Sequence, residues 1–173
     1  MYVRKSVANN LNDISKTRPD VVIQIAKNWY GNNDHTNWII KHGCRTLLKK
    51  GNSDILKLFG INDSSNIIVK NFALDANSVK IGNNFTFSFF LATTKSSKVR
   101  LEYAIDYVKS GGKRSRKIFK ISEVNLKAND EKLYTRNHSF EDLSTRKHYP
   151  GVHSITLIIN GQEQGTLDFT VEA

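Results

Sequence analysis

The sequence predicts two structural classes in one chain. Residues 1–60 read as the end of a HEAT-like α-solenoid, and residues 65–173 as an immunoglobulin-like β-sandwich. Three observations carry this. Apolar residues recur with helical spacing up to residue 60 and alternate with a period near two after residue 65. The change falls at 60-GINDSS-65, a cluster with turn or linker composition. A shift of thirty-three residues overlays the first predicted helix on the third, with Val7 on Ile40, Leu11 on Cys44 and Ile14 on Leu47. A helix–turn–helix unit recurring at that period is the mark of an α-solenoid.

Four helices are predicted, over 3–16, 19–30, 36–50 and 53–59. Pro19 occupies a first-turn position, where its missing N–H costs nothing, and Asp20 beside it complements the helix dipole. Thr36 is the expected N-cap of the third helix, and Gly51 after Lys49 and Lys50 is its expected end. At about 100° per residue, Val3, Val7, Leu11 and Ile14 of the first helix form an apolar stripe. Asn10 falls within it and is expected to be buried, hydrogen-bonded at the junction with a neighbouring helix. Lys5, Asn9, Asn12 and Lys16 fall on the opposite side, with Asp13 at its margin. The matching stripe of the third helix is Trp38, His42, Arg45 and Lys49. Such a side ordinarily faces water. The two stripes together, the second with a tryptophan among basic residues, also fit a ligand surface: cations for phosphates, amides for hydrogen bonds, an indole for stacking.

Eight strands are predicted, over 66–75, 77–81, 84–93, 98–108, 115–124, 132–140, 152–160 and 165–173, all antiparallel. Asn160-Gly161 and Ser110-Gly111-Gly112 are the hairpin turns. Two basic turns stand out. The first, 109-KSGGKRSRKIFK-120, carries Lys113, Arg114 and Arg116; the second, 144-STRKHYPG-151, carries Arg146 and Lys147. Each is either a solvated tip or a contact for a phosphate backbone.

Composition bounds the chemistry. The net charge of +10 points toward an anionic partner. The first sixty residues hold ten Lys/Arg against four acids (+6), the rest sixteen against twelve (+4), so positive charge is denser in the helical part. Cys44 is the single cysteine, which excludes an intramolecular disulfide and a multi-cysteine metal centre. No apolar run is long enough for a membrane span, so a cytoplasmic protein without a membrane partner is expected. His42 and Cys44 point in different directions on a helix, and His138, His148 and His153 lack an accompanying acid cluster. No metal and no cofactor are expected.

The strings VRKSVANNLNDISKTRPD (3–20), NWIIKHGCRTLLKKGN (37–52) and TRKHYPGVHSITLIINGQ (145–162) resemble the C-terminal half of AlkC-type DNA alkylation repair proteins. These are HEAT-like repeat DNA glycosylases with an appended immunoglobulin-like domain. The resemblance implies a basic groove of second helices that holds double-stranded, alkylated DNA. It implies excision of cationic bases such as 3-methyladenine without a metal, aided by a carboxylate and aromatics near the lesion, and by distortion of the duplex in place of deep base flipping. It assigns Arg4, Lys5, Asn9, Asn12 and Asp13 to one groove-lining helix, and Trp38, His42, Arg45 and Lys49 to the next. It also implies that further repeats, carrying the main catalytic acids, precede this point, so the sequence reads as the C-terminal portion of a longer protein. Asp13 is the one acid at the margin of the proposed surface. The competing expectation is a non-enzymatic scaffold whose solenoid end and sandwich bind protein.

Overall fold

A computed structural model describes residues 2–62, 64–144 and 146–173. The chain divides into two compact units, Met1–Asn62 and Asp63–Ala173.

The first unit holds five helices: α1 (Tyr2–Thr17), α2 (Pro19–Trp29), α3 (Asp34–Gly43), α4 (Arg45–Lys49) and α5 (Ser53–Leu58). Pro19 and Asp20 open α2 as their chemistry dictates. Asn33, not Thr36, caps α3, its side chain accepting from the backbone N–H groups of His35 and Thr36. The single helix expected over 36–50 is broken at Cys44 into α3 and α4. Gly51 follows α4 with φ of 67°, the left-handed conformation that glycine adopts without strain. Val22, Ala26, Ile40, Cys44, Leu47, Leu48 and Ile55 fill the core of this unit.

The packing of α1 corrects the expected burial of its asparagines. The buried residues are Ala8, Leu11, Asn12 and Ser15, spaced i, i+3, i+4, i+7. Asn10 is exposed and Asn12 is 4% exposed, the reverse of expectation. Val3, expected on the buried stripe, is 72% exposed. The cause is a close approach of α3. A Cβ added to Gly43 would lie 3.0 Å from the Cβ of Leu11 and 3.4 Å from the carbonyl oxygen of Ala8, so only glycine lets the helices sit this close. The small residues Ala8 and Ser15 thus define the packed face, and the stripe turns toward them. Contacts pair Arg4 with His35, Leu11 with Gly43, Asn9 with Arg45 and Asn12 with Thr46. The start of α1 meets the start of α3 and its later residues meet the end of α3 and the start of α4, so α1 runs parallel to α3 and α4.

The second unit has eight strands: β1 (Ile67–Leu74), β2 (Ser78–Lys80), β3 (Asn84–Thr93), β4 (Ser97–Val108), β5 (Arg114–Leu126), β6 (Glu131–Ser139), β7 (Gly151–Ile159) and β8 (Gln162–Glu172). They form a three-stranded sheet, β1-β3-β6, and a five-stranded sheet, β2-β8-β7-β4-β5. The strict alternation of Phe85, Phe87, Phe89 and Leu91 on β3 faces Val99, Leu101, Tyr103, Ile105 and Tyr107 of β4 and Ile155, Leu157 and Ile159 of β7 in one core. One pairing departs from expectation: β2 runs parallel to β8. Strand direction depends on how the chain returns, which local alternation does not encode. Asn160 and Gly161 both have positive φ, 50° and 78°, as a tight turn between β7 and β8 requires.

Candidate nucleic-acid interface

Because α1 lies parallel to α3 and α4, their polar stripes are neighbours. Asn9 Oδ1 accepts from Arg45 Nη2 at 3.2 Å, and the carbonyl of His42 accepts from Arg45 Nη1 at 2.9 Å. The rings of Trp38 and His42 stack at 4.9 Å with 10° between planes. Lys5 lies near enough to His42 to repel its protonated form. Arg4 Nη1 donates to His35 Nδ1 at 2.7 Å. Lys16 donates to Asp13 at 2.7 Å, and that bond with its charge, assisted by Arg45, holds the Asp13 carboxyl below the usual carboxylate range. Lys49 is exposed at the end of α4. The result brings Lys5, Asn9, Asp13, Lys16, Trp38, His42 and Arg45 together, cationic apart from one carboxylate. Burial pushes the Cys44 thiol up to about 11, which leaves it inert as a nucleophile.

Asn12 stands apart from this surface. Its Oδ1 accepts from Thr46 N at 3.2 Å and Thr46 Oγ1 at 2.8 Å. Thr46 N is an orphan donor in the first turn of α4, and Cys44, the N-cap, supplies no side-chain bond. Asn12 therefore caps α4 from another helix. Asn12→Ala is expected to destabilise the helical unit by about 1–3 kcal/mol, the cost of removing two bonds from a buried amide and stranding a half-buried donor. Urea unfolding followed by helical circular dichroism measures it; a loss well below that range would show that water satisfies Thr46.

The two basic turns divide. Arg114 donates to Ser154 Oγ at 2.7 Å and to the Val152 carbonyl at 2.8 Å. Arg116 pairs with Glu163 at 2.6 Å and Asp106 at 3.7 Å. Both guanidinium groups are thus engaged across their own sheet by acids, a hydroxyl and a carbonyl on neighbouring strands. Lys113 and Lys147 are exposed; Arg146 is half-buried, with its Nε enclosed and without a partner among the described residues. Thr145, in the second basic turn, lies outside the described residues.

Sequence reading missed the polar interior of the sandwich. His138 bridges two tyrosines, Nδ1 to the Tyr103 hydroxyl at 2.8 Å and Nε2 to the Tyr107 hydroxyl at 2.7 Å. The rings of His148 and His153 pack against Phe140 and Tyr107. The signal was present: His138 is in phase with Tyr134 and Phe140 and pairs with the core position Phe85. Among the described residues no group of three or more His, Cys, Asp or Glu is arranged to hold a metal, and no helix is long and apolar enough to cross a membrane.

Fold and surface together define a two-part protein, a helical unit with a cationic polar face joined to an immunoglobulin-like sandwich. A family described as "Uncharacterised protein YhaZ, C-terminal Ig-like domain" matches residues 68–173, and the chain belongs to it. The protein YhaZ of Bacillus subtilis (strain 168) is 51% identical over 171 residues, 99% of this chain and 48% of that protein. The alkylpurine DNA glycosylase AlkC of Pseudomonas fluorescens, solved bound to DNA containing an abasic site analog, is 37% identical with a TM-score of 0.94, covering 100% of this chain and 49% of that one. The chain therefore spans about half the length of these relatives. A beta-glucosidase from Listeria innocua, 16% identical with a TM-score of 0.53 over 65% of this chain and 17% of its own, shares the fold alone.

Proposed function

We propose that this chain is the DNA-holding portion of a DNA alkylation repair glycosylase that excises cationic alkylated bases such as 3-methyladenine. The observation that carries the reading is the joined polar stripe of α1, α3 and α4, on a chain that matches a DNA-bound alkylpurine glycosylase along its whole length. The helical unit is read as HEAT-like, with its parallel helices α1 and α3 as equivalent members of successive repeats. Lys5, Lys16, Arg45 and Lys49 neutralise phosphates of duplex DNA, Asn9 donates or accepts hydrogen bonds, and Trp38 with His42 offers a stacking ledge. Asp13, kept ionised by Lys16, is the carboxylate available to stabilise positive charge that develops on the sugar as the glycosidic bond breaks. The work is that of a repair protein in the cytoplasm, acting without metal or cofactor.

Anisotropy with a labelled duplex containing an abasic analogue tests this. Affinity should fall steeply as salt rises. Arg45→Glu and Lys49→Glu should each weaken binding about tenfold and flatten the salt slope by about one. Unchanged affinity in both variants would remove the stripe from the interface. Salt-insensitive capture of a protein, with no DNA affinity, would make the chain a scaffold.

A further inference from the structure

Lys5 on α1 and Arg45 on α4 both lie near enough to His42 on α3 to repel its protonated form, and Asp13 is the acid within reach of Arg45. Asp13 is engaged by Lys16, and Lys5 has no ion-pair partner among the described residues. Arg45 is already oriented, since two of its five N–H groups are committed to Asn9 and to the His42 carbonyl and the rest are available. Trp38 covers one face of the His42 imidazole and fixes its plane. Two cations converging on an imidazole, with the neighbouring carboxylate bound by Lys16, form a site suited to an anion.

We propose that Lys5, His42 and Arg45 form a subsite for a single phosphodiester group of a nucleic-acid backbone, and that His42 takes up a proton as the phosphate enters. The proposal rests on the DNA-holding reading of the stripe and adds to it one defined contact and its proton. In the free protein, burial, then Arg45, then Lys5 hold His42 below its ordinary value, so the ring is neutral at neutral pH. The charged groups facing it are Lys5 from α1 and Arg45 from α4; Trp38, from its own helix, does not titrate. A phosphate seated among them offsets both repulsions and accepts a hydrogen bond from the imidazolium, which raises the pKa of the ring. Binding then consumes a proton between the free and bound values. Affinity rises as pH falls through that window and is flat above it.

The test is a ring-proton NMR titration of the 173-residue chain, alone and saturated with a short abasic-analogue duplex, the His42 resonance being assigned by its loss in His42→Gln. The expected result is an upward shift of the His42 midpoint by about one unit on binding. A matching rise of about tenfold in affinity is expected between about pH 8 and about pH 5.5. His42→Gln should abolish that pH dependence, whatever its absolute affinity. Saturating binding with the His42 midpoint unmoved overturns the subsite and leaves the groove reading intact. A pH dependence that persists in His42→Gln assigns the proton elsewhere and also overturns it. Absence of DNA binding at either pH sinks both.

Discussion

Arg100→Met is expected to cost the sandwich about 3–5 kcal/mol, enough to unfold a marginal domain. Arg100 is 4% exposed on β4 and lies between two carboxylates, reaching Glu102 at 2.6 Å and Glu123 at 2.7 Å. Lys120 joins the network at Glu123, 3.1 Å away. Glu102 is 0% exposed, and its second oxygen has no hydrogen-bond partner among the described residues. Removing Arg100 leaves that carboxylate buried with its desolvation penalty uncompensated. The expected loss follows from the stranded charge, not from the worth of the bond. A double-mutant cycle separates the two: Arg100→Met with Glu102→Leu should recover much of the stability, because paired apolar replacement removes charge and penalty together. Urea unfolding of the three variants provides the measurement. A loss below about 1 kcal/mol for Arg100→Met would mean that water reaches Glu102.

That network also marks where sequence reading stops. The inward residues of β3 announce themselves because Phe85, Phe87, Phe89 and Leu91 alternate with polar neighbours. The Asn160-Gly161 turn is legible because few dipeptides tolerate two positive φ angles. On β4, by contrast, Arg100 and Glu102 alternate with Leu101 and Tyr103, so charge reads as the wet face. Their enclosure is set by side chains from β5 and by the position of β4 between β5 and β7, both non-local. The helical stripe was legible in part. Lys5, Asn9, Trp38, His42 and Arg45 come together as the thirty-three-residue shift implies. Asn10 and Asn12 were exchanged because the angular argument weighed the large apolar residues. The packed face is chosen instead by Ala8, Ser15 and the missing side chain of Gly43, which no hydrophobicity count detects. The engagement of Arg114 and Arg116 was likewise invisible, since their partners Val152, Ser154 and Glu163 lie on other strands.

Acidification is expected to strip about 3 kcal/mol from the sandwich through His138 alone. Burial, reinforced by the charges of Arg146 and His148, pushes this imidazole down to about 4, against about 6.5 in an unfolded chain. The neutral ring donates from one nitrogen to one tyrosine oxygen and accepts the hydroxyl proton of the other. Protonation turns both nitrogens into donors, so one buried hydroxyl, of Tyr103 or Tyr107, must turn its proton away with no partner waiting. Burial pushes the Tyr103 phenol up to about 12 and the Tyr107 phenol up as well, so neither can offset the charge by ionising. The sign follows from linkage: a histidine depressed in the folded state binds fewer protons than in the unfolded chain. Its contribution to stability is therefore complete above pH 6.5 and is lost as pH falls from about 6.5 toward 4. His148 and His153 are also depressed, mainly by burial, and act in the same direction. Urea midpoints measured at steps from neutral pH to about pH 4.5 should decline with this slope. NMR of His138 should place its midpoint near 4. A midpoint close to 6.5 would show that water enters beside Tyr107 and that the bridge is not sealed. His138→Gln keeps a donor and an acceptor but cannot titrate, so it should lower stability at neutral pH while flattening the decline. A slope unchanged in that variant would transfer the effect to His148 and His153, each with one ring nitrogen lacking a partner among the described residues and each packed against Tyr107 and Phe140.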